Sequence, residues 1–156
     1  MKRLRRFLQV PLPRKRMLAE AAMQLLLAWL VVRVVPFRWW SHWLGDSISG
    51  EADPQDAIDD QRARDISWAV TAINRAVGGR YTCLMLAVAA QRMLDRRHIS
   101  SSLVLGTFTE YGEDRCPIMT AHAWLRVGRQ VVLGHHDGRY AAVASFVRSY
   151  RHLGNE

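Results

Sequence analysis

The sequence predicts an α+β fold in which helices come first and a small antiparallel sheet follows. Three observations carry that expectation. Apolar residues recur at helical spacing up to Gly78-Gly79, a second apolar helical stretch starts near Thr82, and beyond Arg96 the period changes to short β-branched runs. With 156 residues, 49% of them apolar, the chain has the size of one domain and can bury roughly two-thirds of its unfolded surface.

The N-terminus is a basic arm. Seven cations between Lys2 and Arg16 precede the first acid, Glu20, and account for all but one unit of the formal charge of +8. The remainder is nearly neutral, so the basicity belongs to the arm and is no sign of a nucleic-acid-binding domain. An acidic surface, whether lipid, RNA or a partner protein, would suit such an arm.

The following stretch, MLAEAAMQLLLAWLVVRVVPFRWWSHWLG, has an apolar core from Ala21 to Val32, interrupted by Gln24 and bounded by Glu20 and Arg33. That core is shorter than the roughly 20 apolar residues a bilayer span needs. No small-residue cleavage site follows before Pro36, which argues against a secretory signal. A helix packed against protein or lying at a membrane interface is expected, with Trp29, Trp39, Trp40 and Trp43 as its large anchors.

These features divide the chain into a docking segment, 1–44; a linker, 45–56, read from the small, acidic, Pro-containing GDSISGEADPQD; and a core, 57–156. In the core, Ile58, Ile66, Val70, Ile73 and Val77 mark a helix that stops at Gly78-Gly79. The next helix runs from near Thr82 to about Arg96. The runs SSLVLGTFTE, AHAWLRV and QVVLGH read as strands.

Chemistry concentrates at Cys83. Thr82 is an acceptable N-cap, which places Cys83 in the first helical turn, where unpaired N–H groups and the helix dipole stabilise a thiolate. A lone cysteine on an apolar helix is also an ordinary packing residue. Cys116, beside Pro117 in a polar stretch, reads as dispensable, and the two cysteines lie in surroundings too dissimilar for a disulfide scaffold.

If Gly128-Arg129 is a two-residue hairpin turn, Val127 pairs with Gln130 and His122 faces His135, with Asp137 diagonal on the same face. Cys83, His122 and Asp137 then converge as nucleophile, base and orienting carboxylate. His135 has its own claim to the third position, and Asp137 in Asp-Gly is equally a turn residue. A one-residue change of register would send Asp137 to the other face and bring Gly134 and His136 to His122. Cys116, His122, His135 and His136 match no structural zinc spacing, so no metal and no cofactor are expected.

The opening MKRLRRFL, the stretch LLLAWLVVRVVPFRWW, the Cys-helix TCLMLAVAAQRMLDRRHISSSLVLG and the strand AHAWLRVGRQVVLG together resemble the lasso-peptide biosynthesis B2 proteins. These are leader peptidases with a transglutaminase-like, papain-related core. By motif, Cys83 matches the family nucleophile and His122 the family base. Members that place an Asp soon after the hairpin turn would put it near Gly134, which cannot serve; Asp137 is the nearest carboxylate on the expected face.

The resemblance implies a cytoplasmic cysteine peptidase that removes the leader from a ribosomally made precursor peptide. It further implies a stand-alone leader-recognition protein (the B1, or RRE, partner) and a separate ATP-dependent cyclase similar to asparagine synthetase. Residues 1–44 would contact one of these or a membrane. Two other functions share the same residues: a noncatalytic peptide-binding adaptor, and an amide-transferring enzyme in which an amine intercepts the thioester.

Overall fold

The structure, a computed structural model, describes residues 11–54, 60–111 and 116–150. The basic arm before Pro11 and Ile58 of the expected helix lie outside them. The first helix, α1, spans Leu12–Val34. Pro13 sits in its first turn, where a missing N–H costs nothing, and Pro36 disfavours helical backbone at Val35, which is extended. The helix is thus longer than its uninterrupted apolar core. By length and composition alone it could cross a membrane, a test that the core helix of a soluble protein and a signal sequence also pass.

One face of α1 packs inward. Leu18, Ala21, Leu25 and Ala28 are buried in the main core, at the i, i+3, i+7 spacing of a single helical stripe. Within the segment 1–44, α1 thus supplies part of the core. Its partner is the Cys-helix, here α4, Cys83–Asp95. Gln24 accepts from Arg92 Nε at 3.1 Å, and Glu20 takes Arg97 Nη2 at 2.6 Å and Arg96 Nε at 3.2 Å.

The Arg97 hydrogen bond, aided by the charges of Arg97 and Arg96, outweighs burial and holds the Glu20 carboxyl below its usual range. A depressed carboxylate contributes stability above its unfolded pKa, and that contribution is lost as pH falls through the folded value. Glu20→Gln is accordingly expected to cost about 1–2 kcal/mol at pH 7. The deficit should shrink as pH falls below about 4.5; urea titrations at pH 7 and pH 4 check both parts.

After Pro36 the chain turns through α2, Phe37–Trp40, and a 3₁₀ turn, Ser41–Leu44. Trp40 is buried; Phe37 lies edge-on to it and to Phe146, at centroid distances of 4.9 and 5.8 Å. Gln91 of α4, also buried, ties this turn to the sheet by donating to the carbonyls of Leu44 and Phe146 at 3.0 and 3.1 Å. Two turns along the helix from Cys83, this amide is committed to structure.

The stretch expected to be a linker carries a strand, β1, Asp46–Ser49, paired antiparallel with β5, Ala141–Arg148. Residues 50–53 then cover one face of the sheet. Ser145 Oγ bridges Gly50 O at 2.6 Å and Ala52 N at 3.1 Å, and Arg126 binds Glu51 at 2.6 Å and Asp53 at 2.8 Å. Two of the acidic residues that suggested a linker, Glu51 and Asp53, are thus held by Arg126, while residues 55 and 56 of that stretch lie outside the described residues.

Helix α3, Asp60–Ala76, ends as expected at the glycine pair, Gly79 N donating to Asn74 O at 2.8 Å. The other strands are β2, Ser101–Tyr111; β3, Pro117–Val127; and β4, Gln130–Leu133. All pair antiparallel, in the order β1-β5-β2-β3-β4. Leu103 of β2 and Ala123, Leu125 and Val127 of β3 face the helices in the main core. The α+β architecture matches the expectation.

Candidate active site

Cys83 is the first residue of α4, as its sequence context predicts. Thr82 adopts extended backbone and its Oγ1 accepts from Met85 N at 3.4 Å, closing the N-cap. The first-turn amides at Cys83 and Leu84 therefore point out of the helix beside the thiol, where they favour negative charge. Cys83 is half-buried and not in a disulfide. Cys116 is free and exposed.

The thiol borders a cavity of about 350 Å³. Leu84, Leu105, Ala123 and Val143 make its lining predominantly apolar, and Gly106 and His122 complete the rim. Apart from Cys83, His122 is the one titratable residue on that rim. The cavity thus offers a nucleophile and room for an apolar side chain, with His122 at its border.

The imidazole itself sits on other partners. Alternation along β3 sends Ala121 and Ala123 toward α4 and sends His122 and Trp124 to the opposite side. There the His122 ring stacks 6.1 Å from Trp124 and lies 5.0 Å from Tyr140 and 5.9 Å from His136. Its Nε2 is 2.9 Å from the Gly134 carbonyl. A carbonyl can only accept, so Nε2 carries the proton and Nδ1 is the free base of the neutral ring. Among the described residues no hydrogen bond joins Cys83 to His122.

The expected pairing of His122 with His135 is corrected by a β-bulge. Val127 pairs with Gln130 and Arg126 with Val131, but Leu125 pairs with Leu133, so Val132 is the extra residue. The bulge lets two consecutive apolar residues, Val132 and Leu133, both enter the core. Ser67 of α3 fixes it by donating to Val132 O at 2.5 Å. Beyond that point the register has slipped by one, which delivers Gly134 and His136 to His122.

Asp137 is consequently not brought to His122. It is exposed, accepts from Arg139 N at 3.3 Å and pairs with the Arg139 guanidinium, which holds its carboxyl below the usual carboxylate range. His135 is exposed as well. Both border an open depression of about 560 Å³ with His122, His136, Arg139 and Tyr140.

The sequence of the core, a capped Cys-helix laid on an antiparallel sheet whose strand carries Ala-His-Ala-Trp, matches the transglutaminase-like superfamily over residues 29–147. The chain belongs to that superfamily. No curated protein and no solved structure matches it. The match makes a cysteine peptidase or transglutaminase-like role the coarse functional assignment for this transglutaminase-like chain.

Several residues that shape the site carry weak sequence signals. Gly106 pairs with His122, and a Cβ there would lie 2.5 Å from the Trp124 ring and 2.8 Å from Ala141 O. Only glycine lets the indole cross β2. Gly134 has φ +76°, and its Cβ would meet Ala123 O at 2.6 Å, so it too tolerates no side chain. Both glycines stand inside or beside apolar runs, where an isolated glycine hints at close backbone approach.

Proposed function

We propose that this protein is a cysteine peptidase that removes the leader from a lasso-type precursor peptide, with Cys83 as nucleophile and His122 as base. The observation that carries the reading is the half-buried thiol at the capped start of α4, opening into an apolar cavity whose one other titratable lining residue, among the described residues, is His122. In the reaction Cys83 Sγ attacks the scissile carbonyl and its proton passes to His122. The leaving amine takes that proton as the thioester forms. Water then hydrolyses the thioester, restoring the thiol and releasing the leader carboxylate.

A stand-alone leader-recognition protein and an asparagine-synthetase-like cyclase are the partners this reading requires. Contacts of catalytic groups commonly close only when substrate binds, and here β3 must rearrange as well, since the imidazole rests against Gly134 on the face opposite α4. A noncatalytic peptide-binding adaptor is the second reading, favoured by the absence of a Cys83–His122 bond among the described residues. Hydrolysis or amide transfer then depends on whether water or an amine reaches the thioester.

The test is cleavage of a leader-bearing precursor by the purified protein with its recognition partner, followed by mass spectrometry. Release of the core N-terminus supports the peptidase; an intact precursor under the same conditions refutes it. Because Asp137 is held by Arg139, Asp137→Asn is expected to change the rate by less than about threefold. A loss of roughly two to four orders, as for a carboxylate that orients a catalytic histidine, would show that the segment from His135 to Arg139 rearranges to bring Asp137 onto the ring. His135→Ala in parallel separates that outcome from a Cys-His-His arrangement.

A further inference from the structure

Helix α1 is apolar on both sides, and only one side is used. Opposite the buried stripe runs a second, Met23, Leu26, Leu30 and Val34, again at helical spacing. Leu26 is 59% exposed and Val34 69% exposed. The turn that follows adds Trp39 and Trp43, 62% and 51% exposed. Such a concentration of exposed apolar side chains marks an interaction surface.

The charge around this surface indicates what it meets. From Glu20 to Asp46 the chain has no acid, while Arg33 and Arg38 lie exposed among the apolar residues. Residues 1–45 contain nine cations and one acid, a surplus of +8 that equals the formal charge of the entire chain. Residues 46–156 are therefore formally neutral. Apolar exposure, flanking arginines and tryptophans at its edge are the features that suit the boundary between headgroups and acyl chains of an anionic bilayer.

We propose that the outward face of α1 and the Trp39–Trp43 turn seat this protein on an anionic lipid surface, with α1 in the plane of the interface. A spanning orientation would pull Leu18, Ala21, Leu25 and Ala28 out of the core, so the helix lies flat and keeps its inner face on α4. The proposal is independent of the chemistry at Cys83. Lipid suits this face better than an acidic protein groove because the apolar residues extend over a helix and the following turn with arginines interspersed.

The experiment is co-sedimentation of the full chain with vesicles of phosphatidylglycerol and phosphatidylcholine, against phosphatidylcholine alone. Binding to the anionic vesicles is expected to be at least about tenfold stronger and to weaken as salt rises. The double variant Leu26→Glu, Leu30→Glu is expected to lose at least about tenfold in partitioning, with unchanged circular dichroism because both side chains point outward. Brominated phosphatidylglycerol should quench the tryptophan fluorescence of the wild-type protein, a readout that needs no variant. Absence of binding to anionic vesicles, equal binding by the double variant, or a dimer by light scattering that the double variant abolishes would each overturn the proposal, the last by assigning the face to a second copy.

Discussion

Cys83→Ala is expected to end precursor cleavage, lowering the rate at least about a thousandfold, while the protein remains folded. Loss of the nucleophile removes the covalent route altogether, and enzymes with a nucleophile-base pair commonly lose far more than that on its deletion. The structural cost is small. Cys83 is only half-buried, and its replacement by alanine removes one sulfur atom at the rim of a cavity that is already open. Alanine is also a good helix former, so the start of α4 keeps its Thr82 cap.

The measurement is product formation by mass spectrometry with the recognition partner present, beside thermal unfolding of the same sample. Wild-type cleavage by a folded Cys83→Ala protein would sink the peptidase reading and favour the adaptor. A trapped thioester or a peptide-aldehyde adduct on Cys83 in the parent protein would do the opposite.

Trp124→Ala is expected to cost about 3–5 kcal/mol, the range for emptying a large aromatic site in a core. Trp124 is 1% exposed. It fills the space that Gly106 leaves, lies 4.5 Å from the His136 ring and donates Nε1–H to Glu51 at 3.3 Å. Removing it takes away packing on the side of the sheet opposite the helices and one anchor of residues 50–53. A loss of this size consumes much of the total stability of an ordinary domain. Urea denaturation checks it, with a loss under about 1 kcal/mol contradicting the described packing.

The activity of whatever Trp124→Ala protein stays folded should fall too. His122 stacks on this indole, and without it the imidazole has one wall fewer to hold its orientation. Histidine ring NMR signals distinguish the two effects: a freed ring broadens or shifts, whereas a purely global destabilisation leaves the spectrum of the folded protein unchanged.

How far each of these features was legible depends on the range over which it is decided. The start of α4 is written locally, since a threonine cap, a cysteine and an apolar helical run need only one another. The stop at Gly78-Gly79, the three strands from SSLVLGTFTE to QVVLGH and the turn between Val127 and Gln130 are equally short-range. The superfamily and the Cys-His pair of interest follow from such segments. Strands β1 and β5 do not: DSIS is short and polar, and AAVASFVR is rich in alanine, so both become strands only because each finds a partner.

The remaining decisions belonged to the tertiary structure. Whether Val132 and Leu133 both enter the core sets the bulge, the bulge sets the register, and the register decides that Gly134 rather than Asp137 meets His122. Which face of β3 packs on α4 decides where the imidazole lies relative to the thiol. Likewise α1, apolar all round, carries no local signal for which stripe is buried; Gln24 with Arg92 of α4, and Glu20 with Arg97 just past the end of α4, choose it. Caps and periods are free-energy minima of a few neighbouring residues, but faces and registers are settled by burial across the whole domain, where side chains distant in sequence compete for one core.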